Sequence, residues 1–563
     1  MREGVAMITN SQIADRLRAY ADLLDMTGES GFRLNAYRRA ADSIQQHDRP
    51  VATESDLRSI PSVGAGIAAI LDEIVATGSF MALDELQEQM PGSVLALLDV
   101  PGVGLKTAAR LYRELGITSL AGLEESIRDG RLGTMKGMGP KAQIRITEGL
   151  AFLQRRSGRS SIGAALPLAE RLAADLAARI NAPVHVVGSV RRMCETTGNI
   201  DLLAIGEDPD EVLGIASQLA SIAGMIERVD NSATFTLQQG IDLRVAVAPA
   251  RSAGTALVRW TGSFAHLAAL GGVNALPDAP TEEGVYAALG MDWIPPELRE
   301  DRGEVTAARE RRLPRLIEVG DLRGDLHLHT TWSDGSASPL EMAIAAAARG
   351  YEYLAITDHS GSLGVAGGLR PERLREQIDV IRDLAGTAPV RLFTGSEVEV
   401  HRDGQLDFDD ALLAELDVVV ASLHSGLRQP EDEFTGRMLR TIANRHVDII
   451  AHPTGRLVER RQGADVTWAR VIEAARETAT ALEINADPAR LDMTDVVARA
   501  AAGAGVLISI DSDAHHPDGL ASVRYGVGIA RRAWIEPRQV VNTWPLADLS
   551  AWLRDRRLPG RSR

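Results

Sequence analysis

Apolar residues recur at three- and four-residue spacing through IADRLRAYADLLDM and IAAILDEIVATG. That period predicts an all-α region over residues 1–155, its helices punctuated by glycine pairs. The basic, Ser/Gly-rich run RRSGRSSI then reads as a linker. Over 164–300 the pattern is mixed, with a helix in LAERLAADLAARI and β-rich runs in VHVVGSV, IDLLAIG, ATFTLQ and IDLRVAV. This predicts an α+β domain. Residues 301–323 read as a connector. From 324 to 545 the short apolar runs DLHLH, YLAIT, RLFTGSEV, DVVVASL, VDIIAH, ALEIN and GVLISI alternate with helical stretches. Seven such βα-like units predict a parallel α/β barrel rather than an open sheet. Residues 546–563 read as a basic tail expected to fray.

Composition changes this picture in three places. A chain of 563 residues is too long for one core, so separate domains are expected. The formal net charge of −16 argues against nucleic acid as a partner when averaged over the chain, but a local basic face still suffices to hold a phosphate backbone. The single cysteine, Cys194, excludes an intrachain disulfide and argues against a thiolate metal cluster. No signal pattern and no long apolar run is present, so a cytoplasmic, nucleoid-associated enzyme with no membrane partner is expected. Of the 12 histidines, only His47, His185 and His266 lie before residue 320. The crowding of the rest points to a metal site in the C-terminal part.

Catalytic residues of a parallel barrel gather at the C-terminal strand ends. Here those ends carry His327 and His329, then Asp334 in the following loop, His359, Glu397, His424, His452, and finally Asp513 and His515. Nitrogen and oxygen donors without thiolates suit Mn²⁺ or Zn²⁺, and iron also fits. Nine donors are too many for one ion, so two or three ions are expected, with Glu397 as a bridge. A cluster of this kind can clamp both oxygens of an in-line phosphoryl displacement. Arg456, in HPTGR just after His452, is placed to bind a phosphate.

GDLHLHTTWSDG, AITDHS, SLHS, AHPTGR, LEIN and DAH resemble the PHP (polymerase and histidinol phosphatase) superfamily. The resemblance implies His327, His329, Glu397 and Asp513 on one ion, Glu397, His424 and His452 on a second, and Asp334, His359 and His515 on a third.

In the N-terminal region IPSVGAGIA and VPGVGLKTA share one form, and MKGMGPKAQ is a looser third copy. A glycine-rich hairpin between helices offers backbone N–H groups to a DNA phosphate without reading sequence. These runs resemble helix-hairpin-helix motifs. Gly64, Gly66, Gly102, Gly104, Lys106, Gly137, Gly139 and Lys141 are the candidate DNA contacts, with Lys136, Arg33, Arg38 and Arg39 adding charge.

GSVRRMCETTGNIDLLAIG carries a further signal. Gly188 and Ser189 open a helix that could hold a triphosphate beside Arg191 and Arg192. Alternation places residues 199 and 201 on one strand face, where a two-metal nucleotidyl transferase needs carboxylates. Asp201 and, from IDLRV, Asp242 supply two of them. Thr261, Gly262 and Ser263 of WTGS resemble a nucleotide-binding turn. In this order the domains resemble a bacterial family X DNA polymerase with a fused PHP domain, over about residues 10–545. The family's first metal carboxylate is here Asn199, which brings no charge, so Mg²⁺ should bind weakly at this palm. The run after WTGS also departs from the family, and IAAILDEI offers no lysine for lyase chemistry. The leading expectation is a monomeric DNA-repair phosphoesterase, a 3′–5′ exonuclease or a processor of 3′ ends, 3′-blocking groups or abasic sites, acting on gapped or 3′-ended DNA, with dNTP use impaired. A working gap-filling polymerase is the second reading. A histidinol-phosphatase-like small-molecule enzyme is the third, disfavoured by the hairpins.

Overall fold

The computed structural model describes residues 8–557 except 29–31, 48, 55, 101 and 157, with only the backbone of 32, 151–156 and 365. By packing, the chain divides into two units. One comprises Met1–Ser160, Leu168–Val186 and Thr197–Ala250; the other comprises Ser161–Pro167, Val187–Thr196 and Arg251–Arg563.

In the first unit the helical period is realised as Asn10–Thr27, Phe32–Gln45, Ala65–Thr77, Met81–Gln89, Leu105–Leu115, Leu120–Arg128 and Pro140–Arg156. Thr9 caps the first of these through a reciprocal box with Gln12. Ile13, Leu17, Leu71, Leu83, Leu97 and Leu111 share one core, and Tyr20 stands edge-on to Tyr37 and Phe80.

The same unit holds a five-stranded sheet of β1 (Val184–Val187), β2 (Asn199–Ile205), β3 (Ile222–Val229), β4 (Ser232–Leu237) and β5 (Asp242–Ala248), in the order β1-β2-β5-β4-β3. β2 and β5 run parallel, with Asn199 opposite Asp242 and Asp201 opposite Arg244. β3 is absent from the sequence reading. It is an edge strand exposed along nearly its whole length, so its IAGMIERV carries no one-sided period.

In the second unit, helices Ala253–Thr261, Phe264–Ala269 and Glu282–Ala288 precede the barrel. Their core takes in Val258, Leu267, Val285 and Tyr286, together with Val305, Ala308 and Leu316. The stretch 301–323 is therefore packed structure rather than a bare connector. Its helix Glu304–Arg309 presents Val305 and Ala308, three residues apart, to one side.

The barrel strands are β6 (Gly324–Asp325), β7 (Tyr353–Ile356), β8 (Arg391–Glu399), β9 (Val418–Ser422), β10 (Ile449–Ile450), β11 (Ala481–Asn485) and β12 (Ile508–Asp511). They lie in sequence order and all pair in parallel. The first and last strands nearly close the ring through a Leu328–Ala514 bridge. Asp511 Oδ1 accepts Leu326 N at 2.8 Å and Asp325 Oδ2 accepts Ser512 N at 3.1 Å across the same seam. The tail does not fray from 546: helix Leu546–Arg556 buries Leu549 and Leu553 against the barrel core. Arg556 donates to Val447 O and Asp448, and residues 558–563 lie outside the described residues. Among the described residues no single helix is long and apolar enough to cross a membrane.

Candidate functional site

The nine expected donors converge at one end of the barrel. His327 and His329, two residues apart beyond β6, share a face. His327 Nε2 lies 3.5 Å from Glu397 Oε2, and His329 Nε2 lies 3.1 Å from Asp513 Oδ1. His359 Nδ1 is 2.6 Å from Glu397 Oε2, while His359 Nε2 and His515 Nε2 face Asp334 Oδ1 at 3.5 and 3.3 Å. His452 Nε2 and His424 Nε2 approach Glu397 Oε1 at 2.9 and 3.4 Å. Glu397 thus lies between both sides of the cluster, which suits a bridge. His452 and Asp513 reach their positions through left-handed backbone, φ 25° and 54°, uncommon for residues other than glycine.

Among the described residues, three sets of donor atoms, each within 4.8 Å of one another, could hold an ion: His329, Asp334, His359 and His515; His327, His329 and Asp513; and His327, Glu397 and His452. His327 Nε2 and both ring nitrogens of His329 are buried without a hydrogen-bond partner, as ligands awaiting a cation would be. The sets differ from those the resemblance implies. His329 joins the third set, His327 stands where the resemblance has His424 in the second, and His424 lies beside the cluster, 3.4 Å from Glu397 Oε1 and with its ring 4.9 Å from that of His452.

Protonation follows the crowding. Burial alone would lower His359, but Glu397 and Asp334 outweigh it and push the imidazole up to about 10. His452 is pushed down to about 3, first by burial and then by Arg490. Burial would raise Glu397, but His424, His359 and His327 hold its carboxyl well below the usual range.

An outer layer of carboxylates orients the imidazoles, and sequence reasoning missed it. Glu483 Oε1 accepts from His327 Nδ1 at 2.7 Å, so Nε2 faces the cluster, and Glu483 Oε2 also accepts His452 N at 2.5 Å. Glu399 does the same for His424 Nδ1 at 2.8 Å. The available signal was a charged residue inside an otherwise apolar strand, Glu483 in ALEIN and Glu399 in SEVEV. Asp358, beside His359, takes Thr330, Ser333 and Gln377 as partners and so fixes the loop bearing Asp334.

Arg456 is not free to take a phosphate. Its Nε donates to Arg490 O at 3.0 Å, Nη2 to Leu491 O, and Nη1 pairs with Glu195 at 2.8 Å. The cation beside the cluster is Arg490, whose Nε lies 3.2 Å from Asp513 Oδ2.

The nucleotide-binding candidates fare similarly. Gly188 and Ser189 open a helix of only four residues, Gly188–Arg191. Arg191 binds Thr261 Oγ1 at 2.8 Å and Glu282 at 2.7 and 2.9 Å. Arg192 binds Glu300 at 3.0 Å and Thr261 O at 2.7 Å. Ser263 caps helix Phe264–Ala269, and Gly262 joins the two helices. Thr261 and the two arginines are brought together, yet both guanidinium groups are held by carboxylates. In the sheet, Asn199 Nδ2 donates to Asp201 Oδ1 at 2.6 Å, and Arg244 Nε donates to the same oxygen at 2.8 Å. Asp242 accepts from Thr236 Oγ1 at 3.2 Å.

All three glycine-rich hairpins precede helices: Ala65–Thr77 after Gly64, Leu105–Leu115 after Gly104, and Pro140–Arg156 after Gly139. Val63, Val103 and Met138 are buried, while Gly64, Gly66, Gly104, Gly139, Lys106, Lys136 and Lys141 are exposed. Neither Gly64 nor Gly104 gives its helix a side-chain cap. The left-handed turn position is Gly102 in the second copy and Gly137 in the third, but Ser62 in the first. Of the supporting charges, Arg38 is committed to Asp22 and Asp25.

Comparison with known proteins finds three family matches along the chain. Residues 8–80 match the helix-hairpin-helix domain family, 94–151 the SAM-like helix-hairpin-helix tandem, and 325–487 the PHP domain. A Bacillus subtilis (strain 168) protein named DNA polymerase/3'-5' exonuclease PolX is 35% identical over 566 residues, 96% of this chain and 98% of that protein. A probable phosphatase of Syntrophotalea carbinolica is 30% identical over 228 residues, 39% of this chain and 90% of that protein. One from Edwardsiella ictaluri is 31% identical over 231 residues, again 39% and 90%.

Proposed function

The chain belongs to the bacterial family X DNA polymerases with a C-terminal PHP domain, and from that premise we propose that its main activity is metal-dependent removal of nucleotides from DNA 3′ ends. The observation that carries this reading is the set of three overlapping donor groups around Glu397. Manganese or zinc ions bound there would supply Lewis acidity for in-line phosphoryl displacement. Within the chain, Glu483 and Glu399 hold the Nδ1 protons of His327 and His424, turning Nε2 inward. Glu397 and Asp334 favour a proton on His359 that loading with cations must displace, so affinity should rise with pH. The hairpin helices deliver gapped or 3′-ended DNA without reading sequence.

The relative's name and the surviving pair Asp201 and Asp242 favour a second activity, gap filling. Against it stand Asn199, a neutral amide where charge is needed to hold Mg²⁺, and the pairing of Asp201 with Arg244. We therefore propose weak use of dNTPs.

A 5′-labelled one-nucleotide-gapped duplex with Mn²⁺, with and without dNTPs, tests both readings. Shortening should dominate. The His327→Ala, His329→Ala double variant should remain folded and lose metal and hydrolysis together. Full hydrolysis by that variant sinks the nuclease reading, and robust extension by it installs the polymerase reading instead.

A further inference from the structure

The loop that joins two of the donors, His329 and Asp334, also carries an aromatic side chain, Trp332. Asp358 holds this loop on both sides of the tryptophan. Its carboxylate accepts Thr330 N at 2.8 Å and Thr330 Oγ1 at 2.7 Å, then Ser333 N at 3.1 Å and Ser333 Oγ at 2.5 Å. Trp332 N donates to Thr330 Oγ1 at 3.3 Å. Gly335 closes the turn so tightly that a Cβ there would lie 2.6 Å from the His329 carbonyl. Asp334 is two residues on, so the Cα of Trp332 stands within about 7 Å of that donor's. The indole is only partly buried, and among the described residues its Nε1 has no hydrogen-bond partner. A core tryptophan would normally have found one.

One face of the ring is taken by Arg373, whose guanidinium carbon lies 4.3 Å from the ring centroid. Arg373 stands one turn before Gln377 on helix Pro371–Leu384, and Gln377 Nε2 donates to Asp358 Oδ2 at 2.6 Å. One buried carboxylate therefore fixes both the loop that bears the indole and the helix that bears the guanidinium. At an exposed rim such a stack adds little to stability. What it provides is a flat surface held in place beside the donor cluster. Every nucleobase has a π-face, so such a surface takes all four without reading sequence.

We infer that Trp332, steadied by Arg373, is the stacking platform for the base of the 3′-terminal nucleotide while its phosphodiester lies at the donor cluster. This rests on the nuclease reading. The ring face turned away from Arg373 receives the base. The ligand class is a nucleotide with any of the four bases, and a 3′ end that lacks its base gains nothing from the platform.

The test uses the full-length manganese-loaded enzyme and two 5′-labelled single-stranded oligonucleotides. One ends in an ordinary nucleotide; the other ends in an abasic tetrahydrofuran residue on the same linkage. Wild type should remove the second terminal residue about tenfold less efficiently, mostly through KM, as expected for loss of one base–aromatic stack. Trp332→Ala should lose about tenfold on the first substrate and so no longer distinguish the two, while Trp332→Phe should keep most of the preference. A residue that merely shaped the Asp334 loop would lower both rates alike on replacement, and that result overturns the platform. Equal wild-type rates on the two substrates overturn it even if Trp332→Ala fails to fold, and leave the nuclease reading standing. An enzyme that cuts neither substrate overturns the nuclease reading and the platform with it.

Discussion

At the scale of single residues, what a sequence position offers and what its side chain does diverge most for arginine. The convergence of the nine candidate donors was legible because residue type and strand-end position together point to it. Glu483 was not, because the imidazole it orients lies 156 residues away. Arg456 was misread for the same reason. Its backbone stands next to the cluster, but carbonyls 34 and 35 residues downstream decide where its guanidinium points. Glu282 shows how strongly such partners act. Burial would raise its carboxyl, but Arg299 and Arg191 outweigh that and hold it at about 2, against an ordinary value of 4.5. Arg299 is fully buried, so removing this partner would leave a buried cation without its counter-charge. A carboxyl depressed on folding stabilises fully above its unfolded value and loses that contribution as pH falls through the folded one. Glu282→Gln should therefore cost roughly 3–5 kcal/mol at neutral pH, as breaking a buried pair does. The difference from wild type should shrink between pH 4.5 and about 2. Thermal midpoints across that range measure it; a variant as stable as wild type at pH 7 contradicts the account.

At the scale of elements, periodicity was a good guide wherever one face is buried. The seven barrel strands were found because each is a short apolar run between helices. β3 was missed because an exposed edge strand has no inside and outside to alternate. The hairpins supply a prediction of their own. Gly104 has φ −90°, which any residue can adopt, and a Cβ there would meet nothing within 4 Å. The fold does not require glycine at this helix start. A phosphate approaching this turn would, because bare backbone N–H groups need the clearance. Gly104→Val should leave the thermal midpoint within about a degree while weakening duplex binding several-fold, given the small cost expected of an exposed substitution. Binding titrations at two salt concentrations would check it. Unchanged affinity would mean that this hairpin does not touch DNA.

At the scale of the whole molecule, the order of domains was readable but the path of the chain between compact units was not. Motifs are contiguous in sequence, whereas Val187–Thr196 is grouped with the barrel's unit although it lies between segments of the other. Within its unit, Arg192 and Arg532 share Glu300 at 3.0 and 2.9 Å, Glu195 holds Arg456, and Met193 packs on Gly528. Arg192→Ala should thus lower the thermal midpoint of the barrel's unit by about 1–2 °C, the shift expected when roughly 1 kcal/mol is lost from a body of this size. If the midpoint is unchanged and only nucleotide binding suffers, Arg192 is a ligand residue and not a tie. Cutting this gene at a single point before the barrel would leave behind ten residues, Val187–Thr196, that pack with the barrel's unit. The ties of Arg192 to Glu300 and, through it, to Arg532 are reason enough for this chain to hold the Gly-Ser-x-Arg-Arg run, which is therefore no record of DNA synthesis.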